Sequence, residues 1–194
     1  MKGKLFILSG QSGVGKKTIL FELLNRHPEF HHVVTYTTRE PRPNEIPGED
    51  HFFVYREKFE EMIKNEDFLE YTEVHGNLFG TPKEQIDKAL KEGKNILMEM
   101  DVKGVTNIKD KYRPVTIFIK YEARDIDELI KNRIKNDPAR KDTSEEEIQT
   151  RIATAKKEAD YEKYYNHSVV NPEGHPEQAI GEVEKIIQNE LKKN

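Results

Sequence analysis

The residue types with the plainest chemistry lie near the amino end, where Gly10 to Thr18 read GQSGVGKKT directly behind the apolar run Leu5 to Leu8. Strand, glycine loop and helix in that order form an anion cradle, because backbone N–H groups and the helix dipole converge on one point. Gly10, Gln11, Ser12, Gly13, Val14, Gly15 and Lys16 satisfy the pattern G-x-x-x-x-G-K, and its lysine reaches the β and γ phosphates of a nucleoside triphosphate. The next position, where a hydroxyl normally meets magnesium, is Lys17, and Thr18 follows as the nearest hydroxyl. Thr18 does not replace it by simple rotation, since neighbouring helix positions point about 100° apart. The plainer alternative is a strand-to-helix turn whose glycines serve only a positive φ.

Other candidates are spread along the chain. Arg39 and Arg42 sit in the proline-stiffened stretch TTREPRPNEIPGED, where guanidinium forks suit a phosphate or carboxylate ligand or face solvent. Glu99 and Asp101 close the apolar run Asn95 to Met100, where a carboxylate either meets a ligand or caps the following helix. Arg133, Arg140 and Arg151 belong to two helical stretches and the segment KNDPARKD between them. They form either a cationic lid over a phosphate or an ion-paired solvent face.

The elements that position these residues follow from hydrophobic pattern. Leu5 to Leu8, Val33 to Tyr36, Asn95 to Met100, Val115 to Tyr121 and His167 to Val170 read as short strands, the most apolar of them suited to a buried parallel sheet. A helix follows the glycine loop to about His27, before Pro28, and the pattern at Ile126, Leu129, Ile130 and Ile134 gives another. GNLFG, Gly76 to Gly80, reads as a turn before a helix capped by Thr81, with Pro82 in its first turn and Glu84 completing a capping box. Ser144 and Glu147 open a mostly charged helix, a type that often covers a moving segment.

Within 194 residues, 35% are apolar and 35% charged, enough for one substantial core with inserts. A formal net charge of -4 argues against a general nucleic-acid or anionic-membrane binder. The absence of cysteine excludes disulfides and thiolate chemistry. MKGKLFIL runs straight into the glycine loop as a first strand rather than a signal peptide, so a cytoplasmic protein is expected.

Taken together, GQSGVGK with Thr18, TYTTREPRPNE with Gly48 and Asp50, FLEY, GNLFGT, EMDVKGV, RKDTSEEEIQTR and VVN resemble the guanylate kinase family over essentially the whole chain. The resemblance implies an α/β fold: a P-loop NTPase core with a central parallel sheet, an inserted GMP-binding α+β region and a helical lid. The core would comprise residues 1–38, 94–134 and 165–194, the insert 39–93 and the lid 135–164. It further implies magnesium-dependent transfer of the ATP γ phosphate to GMP or dGMP, with no nucleic-acid or membrane partner, by a monomer or homodimer. Residues Gly10 to Thr18 would hold ATP, with Thr18 the one hydroxyl offered to the metal. Thr35, Arg39, Arg42, His51, Glu70, Phe79, Thr81, Glu99 and Asp101 would hold GMP, with Glu70 and Asp101 accepting from guanine N1–H and the N2 amino group. Lys16, Arg39, Arg133, Arg140 and Arg151 would act on the transferred group.

The sequence departs from the family pattern at Lys17 and at His51 and Phe79, which stand where tyrosines usually meet the GMP phosphate. Asn136, Asp137 and Pro138 add length between Arg133 and Arg140. Phe79 keeps the ring without the donor, so weaker GMP binding is expected; a protonated His51 would donate more strongly, so more weakening is expected at alkaline pH. Two other readings stay open: a kinase for a different small acceptor on the same core, and a related binding module that has lost catalysis.

Overall fold

The computed structural model describes residues 3–43, 45–74, 76–122, 126–136 and 143–193, with backbone only at 74, 107 and 136. Four parallel strands make the main sheet: β1 (Leu5–Gly10), β6 (Ile96–Glu99), β7 (Val115–Tyr121) and β8 (His167–Asn171), in the order β6-β1-β7-β8. Every residue of β1 is buried, which explains its continuous apolar run. Its side chains alternate between two layers. Phe6 and Leu8 pack with α1 (Lys16–Arg26), α5 (Ile126–Asn136), α6 (Glu145–Ala159) and α7 (Pro176–Lys192). Leu5 and Ile7 pack with α3 (Lys83–Lys91) and α4 (Val102–Tyr112) on the opposite face. Helices on both faces of a parallel sheet leave its carboxyl edge open to ligands.

A second, mixed sheet is built from β2 (Thr35–Thr37), β3 (His51–Phe53), β4 (Phe68–Val74) and β5 (Asn77–Pro82), in the order β3-β2-β5-β4. The chain makes one last parallel bridge to the main sheet, His31 to Ile96, before β2 joins the second sheet. With α2 (Arg56–Lys64) it surrounds a small core of Phe59, Met62, Phe68 and Leu78.

GNLFG is strand rather than turn. Only Gly76 turns, at φ 78°, and Gly80 lies inside β5. A Cβ at Gly80 would come within 2.7 Å of the Phe68 ring and 2.8 Å of the Phe59 ring. The glycine there admits aromatic rings and does not mark a turn. The expected cap at Thr81 is also overturned: α3 begins after Pro82, and the Thr81 hydroxyl donates to Glu70 at 3.0 Å. Among the described residues no helix is long and apolar enough to cross a membrane.

Candidate active site

The loop between β1 and α1 is folded as its glycines require. Gly10 has φ 131°, and a Cβ there would lie 2.0 Å from the Ile119 carbonyl oxygen of the neighbouring strand. Gly15 has φ 96°, with Asn171 Nδ2 at 2.9 Å and Arg133 Nη1 at 3.4 Å from a hypothetical Cβ. Other side chains brace the loop from outside. The Gln11 side chain is buried, Nε2 donating to the Ala155 carbonyl at 3.1 Å and Oε1 accepting from Tyr121 N–H at 2.9 Å. The Tyr121 hydroxyl donates to the Ser12 carbonyl at 3.0 Å, and Glu158 accepts the Ser12 N–H at 2.6 Å. The Val14 carbonyl takes Arg133 Nη1 at 2.6 Å and Asn171 Nδ2 at 2.7 Å.

A cleft of about 400 Å³ opens over this loop, lined by Gly13 to Thr18, Glu99, Tyr121, Arg133 and Arg151, among others. Lys16 Nζ folds back onto the carbonyls of Gly10 and Gln11 at 2.7 and 3.0 Å. Burial lowers its ammonium below the ordinary lysine range, against the pull of Glu158, Glu99 and Asp101. Glu99 stays exposed, yet it stands at the wall of the cleft, where surrounding protein raises its carboxyl against the attraction of Lys16 and then Lys17. Arg133 lies over the Tyr121 ring, 5.1 Å from its centroid. Arg151 meets Glu147 at 2.8 Å. Arg140 lies outside the described residues.

The second group of predicted residues splits in two. Between β2 and β3, Arg39 Nη2 is held by both oxygens of Glu45, at 2.9 and 3.0 Å, and lies near the Phe53 ring. That hydrogen bond, helped by the Arg42 backbone N–H, pulls the Glu45 carboxyl down to about 2. The Arg42 side chain is exposed. Thr35 Oγ1 and His51 Nδ1 share a hydrogen bond at 2.7 Å, and the Phe79 ring stands edge-on to His51. Burial first and Lys17 second hold His51 below its ordinary pKa. That depression works against the protonated donor on which the expected weakening in alkali depends.

The third group is the purine-edge candidate. Gly104, in the first turn of α4, joins its two carboxylates. Its N–H donates to Asp101 Oδ1 at 2.6 Å, and a Cβ on it would lie 2.8 Å from Glu70 Oε2. Asp101 is therefore the helix cap that one sequence reading proposed, and its Oδ2 has no partner among the described residues. Burial, then the charge of Asp101, raises the Glu70 carboxyl, while the Thr81 hydroxyl works the other way. Two acceptor groups held side by side, with a threonine beside them, complement a ligand edge that carries adjacent donors.

The sequence model of the family described as guanylate kinase matches residues 2–190. The chain belongs to the guanylate kinase family. It is 41% identical over 189 residues to a guanylate kinase of Clostridium tetani (strain Massachusetts / E88), covering 97% of this chain and 87% of that one. A guanylate kinase of Fusobacterium nucleatum subsp. nucleatum is 39% identical over 190 residues, covering 98% of both. The crystal structure of guanylate kinase from Anaplasma phagocytophilum superposes with TM-score 0.72 at 25% identity, covering 97% of this chain and 86% of that one. The guanylate kinase resemblance read from separated motifs is thus borne out, as is the α/β architecture around a parallel sheet.

Several residues that shape these groups escaped sequence reasoning. Gly104 is visible in the sequence as a glycine inside a helical pattern, a position where it weakens the helix relative to alanine. Glu45 and Glu158 give no such signal, since each is one acidic residue within a highly charged stretch.

Proposed function

We infer that the chain transfers the terminal phosphoryl group of ATP to GMP or dGMP, giving ADP and GDP or dGDP. The observation that carries the choice of base is the Glu70 and Asp101 pair around Gly104. Guanine presents donors at N1 and N2, whereas adenine presents a lone pair at N1 that would face an anionic side chain. A buried acceptor left unpaired costs about 1–3 kcal/mol, enough to reject the wrong purine.

In this reading the second sheet with α2 is the acceptor-binding region, and α6 belongs to the lid. The triphosphate lies in the cleft of about 400 Å³, its β and γ oxygens on the loop amides and Lys16. Lys16 exchanges its bonds to the Gly10 and Gln11 carbonyls for phosphate oxygens. Arg39 holds the acceptor phosphate, with Arg42 close by in the same loop. An anionic oxygen of that phosphate attacks the γ phosphorus while the bond to the bridging oxygen breaks, so no strong general base is needed. Arg133 and Arg151 stabilise charge on the transferred group, and Arg140 is assigned the same task from the family pattern. Closure of the lid excludes water that would otherwise hydrolyse ATP.

Magnesium is proposed to enter with ATP. Among the described residues no three His, Asp or Glu side chains converge to cage a metal. Magnesium fits such a wall because it keeps water ligands and takes other oxygens from phosphates; Glu99 and Thr18 line the cleft where they would meet its water shell. When bound it would supply positive charge to the triphosphate. A coupled ADP-release assay with GMP, dGMP, AMP, CMP and UMP tests the assignment. Turnover with a guanine acceptor at least a hundredfold above the others is expected, and equal or better turnover with any other base overturns it.

A further inference from the structure

Lys17 stands in the first turn of α1, where an ammonium is disfavoured by the positive end of the helix dipole. Its position nevertheless gives it access to two cavities. Lys17 and Glu99 are the side chains common to the large cleft over the loop and to a smaller pocket of about 70 Å³, lined also by His32, Thr35, Asp50 and His51. The two form the wall between the triphosphate side and the acceptor side.

The ammonium is turned toward the acceptor side. It rests over the Phe21 ring, 5.2 Å from the centroid, and Phe21 lines the smaller pocket rather than the cleft. Lys17 is exposed, and among the described residues it makes no hydrogen bond or ion pair. Its charge is felt across the pocket, since it helps to depress both His51 and His32. Beside Arg39 and Arg42 the acceptor side offers few further donors: Phe79 has none, and His51 Nδ1 is bonded to Thr35.

We propose that Lys17 binds the phosphate of the acceptor nucleotide, so that the helix serving the donor triphosphate also supplies a cation to the second substrate. This assignment rests on the functional reading above. It makes the departure at the position after the loop lysine and the loss of the phenol at Phe79 two parts of one rearrangement: a cation from α1 replaces a neutral donor from β5.

Calorimetric titration of GMP without ATP and with metal removed by chelator tests this, for the unaltered chain and for Lys17→Met, Lys17→Ser and Lys17→Arg. Guanosine, which has the base but no phosphate, is measured alongside by competition. Lys17→Met and Lys17→Ser are expected to raise the GMP Kd about tenfold and Lys17→Arg less than threefold, with guanosine unchanged. A GMP Kd within twofold of the unaltered chain in Lys17→Met, or an equal loss for guanosine, overturns the role of Lys17 while leaving the kinase reading standing. Failure of the unaltered chain to bind GMP overturns the kinase reading itself, and this proposal with it.

Discussion

Gly104→Ala tests whether the acceptor base is read where the two carboxylates meet. A Cβ at Gly104 would lie 2.8 Å from Glu70 Oε2, 2.7 Å from Met100 Cγ and 2.9 Å from Met100 Sδ. These atoms belong to two flexible side chains, the terminal carboxylate of Glu70 and the buried Met100, which must both shift while the backbone holds. To reach ordinary contact at 3.4 Å the Glu70 oxygen must retreat by about 0.6 Å. Alanine improves helix propensity by up to about 1 kcal/mol, which offsets the crowding, so Tm is expected to change by only a few degrees. A hydrogen bond to a charged acceptor contributes about 1.5–3 kcal/mol, and losing roughly half of it raises KM for GMP about three- to tenfold. ATP affinity, set by the loop between β1 and α1, is expected to stay unchanged. The assay is coupled ADP release at saturating ATP, beside calorimetry of ATP and a thermal melt. A KM for GMP within 1.5-fold of the unaltered chain, at unchanged Tm, would refute the assignment of Glu70 to the base.

Three further outcomes are expected. Because Glu70 must be ionised to accept from guanine and its pKa is raised by burial and Asp101, kcat/KM for GMP should fall on the acid side above the ordinary glutamate range. The folded state then holds the Glu70 proton more tightly than the unfolded chain, so this group's contribution to stability increases as pH falls through the same interval; Glu70→Gln should remove both effects, as pH–rate and pH–melting profiles would show. Phe79→Tyr restores a donor on the acceptor phosphate and should lower KM for GMP three- to tenfold in steady-state assays; no change would mean the ring does not face that phosphate. Glu158→Ala strips the Ser12 N–H of its 2.6 Å acceptor and should raise KM for ATP about five- to tenfold with KM for GMP unaltered, whereas Glu158→Gln should retain most of the affinity.

The sequence displayed the main sheet well because a strand buried on both faces leaves an uninterrupted apolar run, as in Leu5 to Leu8 and Val115 to Tyr121. It misled where one residue type serves two physical ends. Gly80 resembles a turn glycine but makes room for the Phe59 and Phe68 rings, and Thr81 resembles a cap but spends its hydroxyl on Glu70. Asp101 was legible as cap or ligand, and one oxygen for each task fits both readings. Glu45 and Glu158 could not be found beforehand, since what distinguishes them is a partner distant in the sequence or across a loop. Lys17 was visible as a departure, but only its rotamer over Phe21 gives it a direction.

The bonds from Gln11 and Ser12 to Ala155 and Glu158 fasten one end of α6 to the nucleotide loop. Any swing of that helix therefore pivots near its carboxyl end. With a rise of about 1.5 Å per residue, a rotation of roughly 20° moves the backbone at Arg151 by only about 2 Å but at Ser144 by about 6 Å. The helix works as a lever with a short arm and a long one. Under such a swing, residues near the fulcrum would keep their alignment and the far tip would travel most.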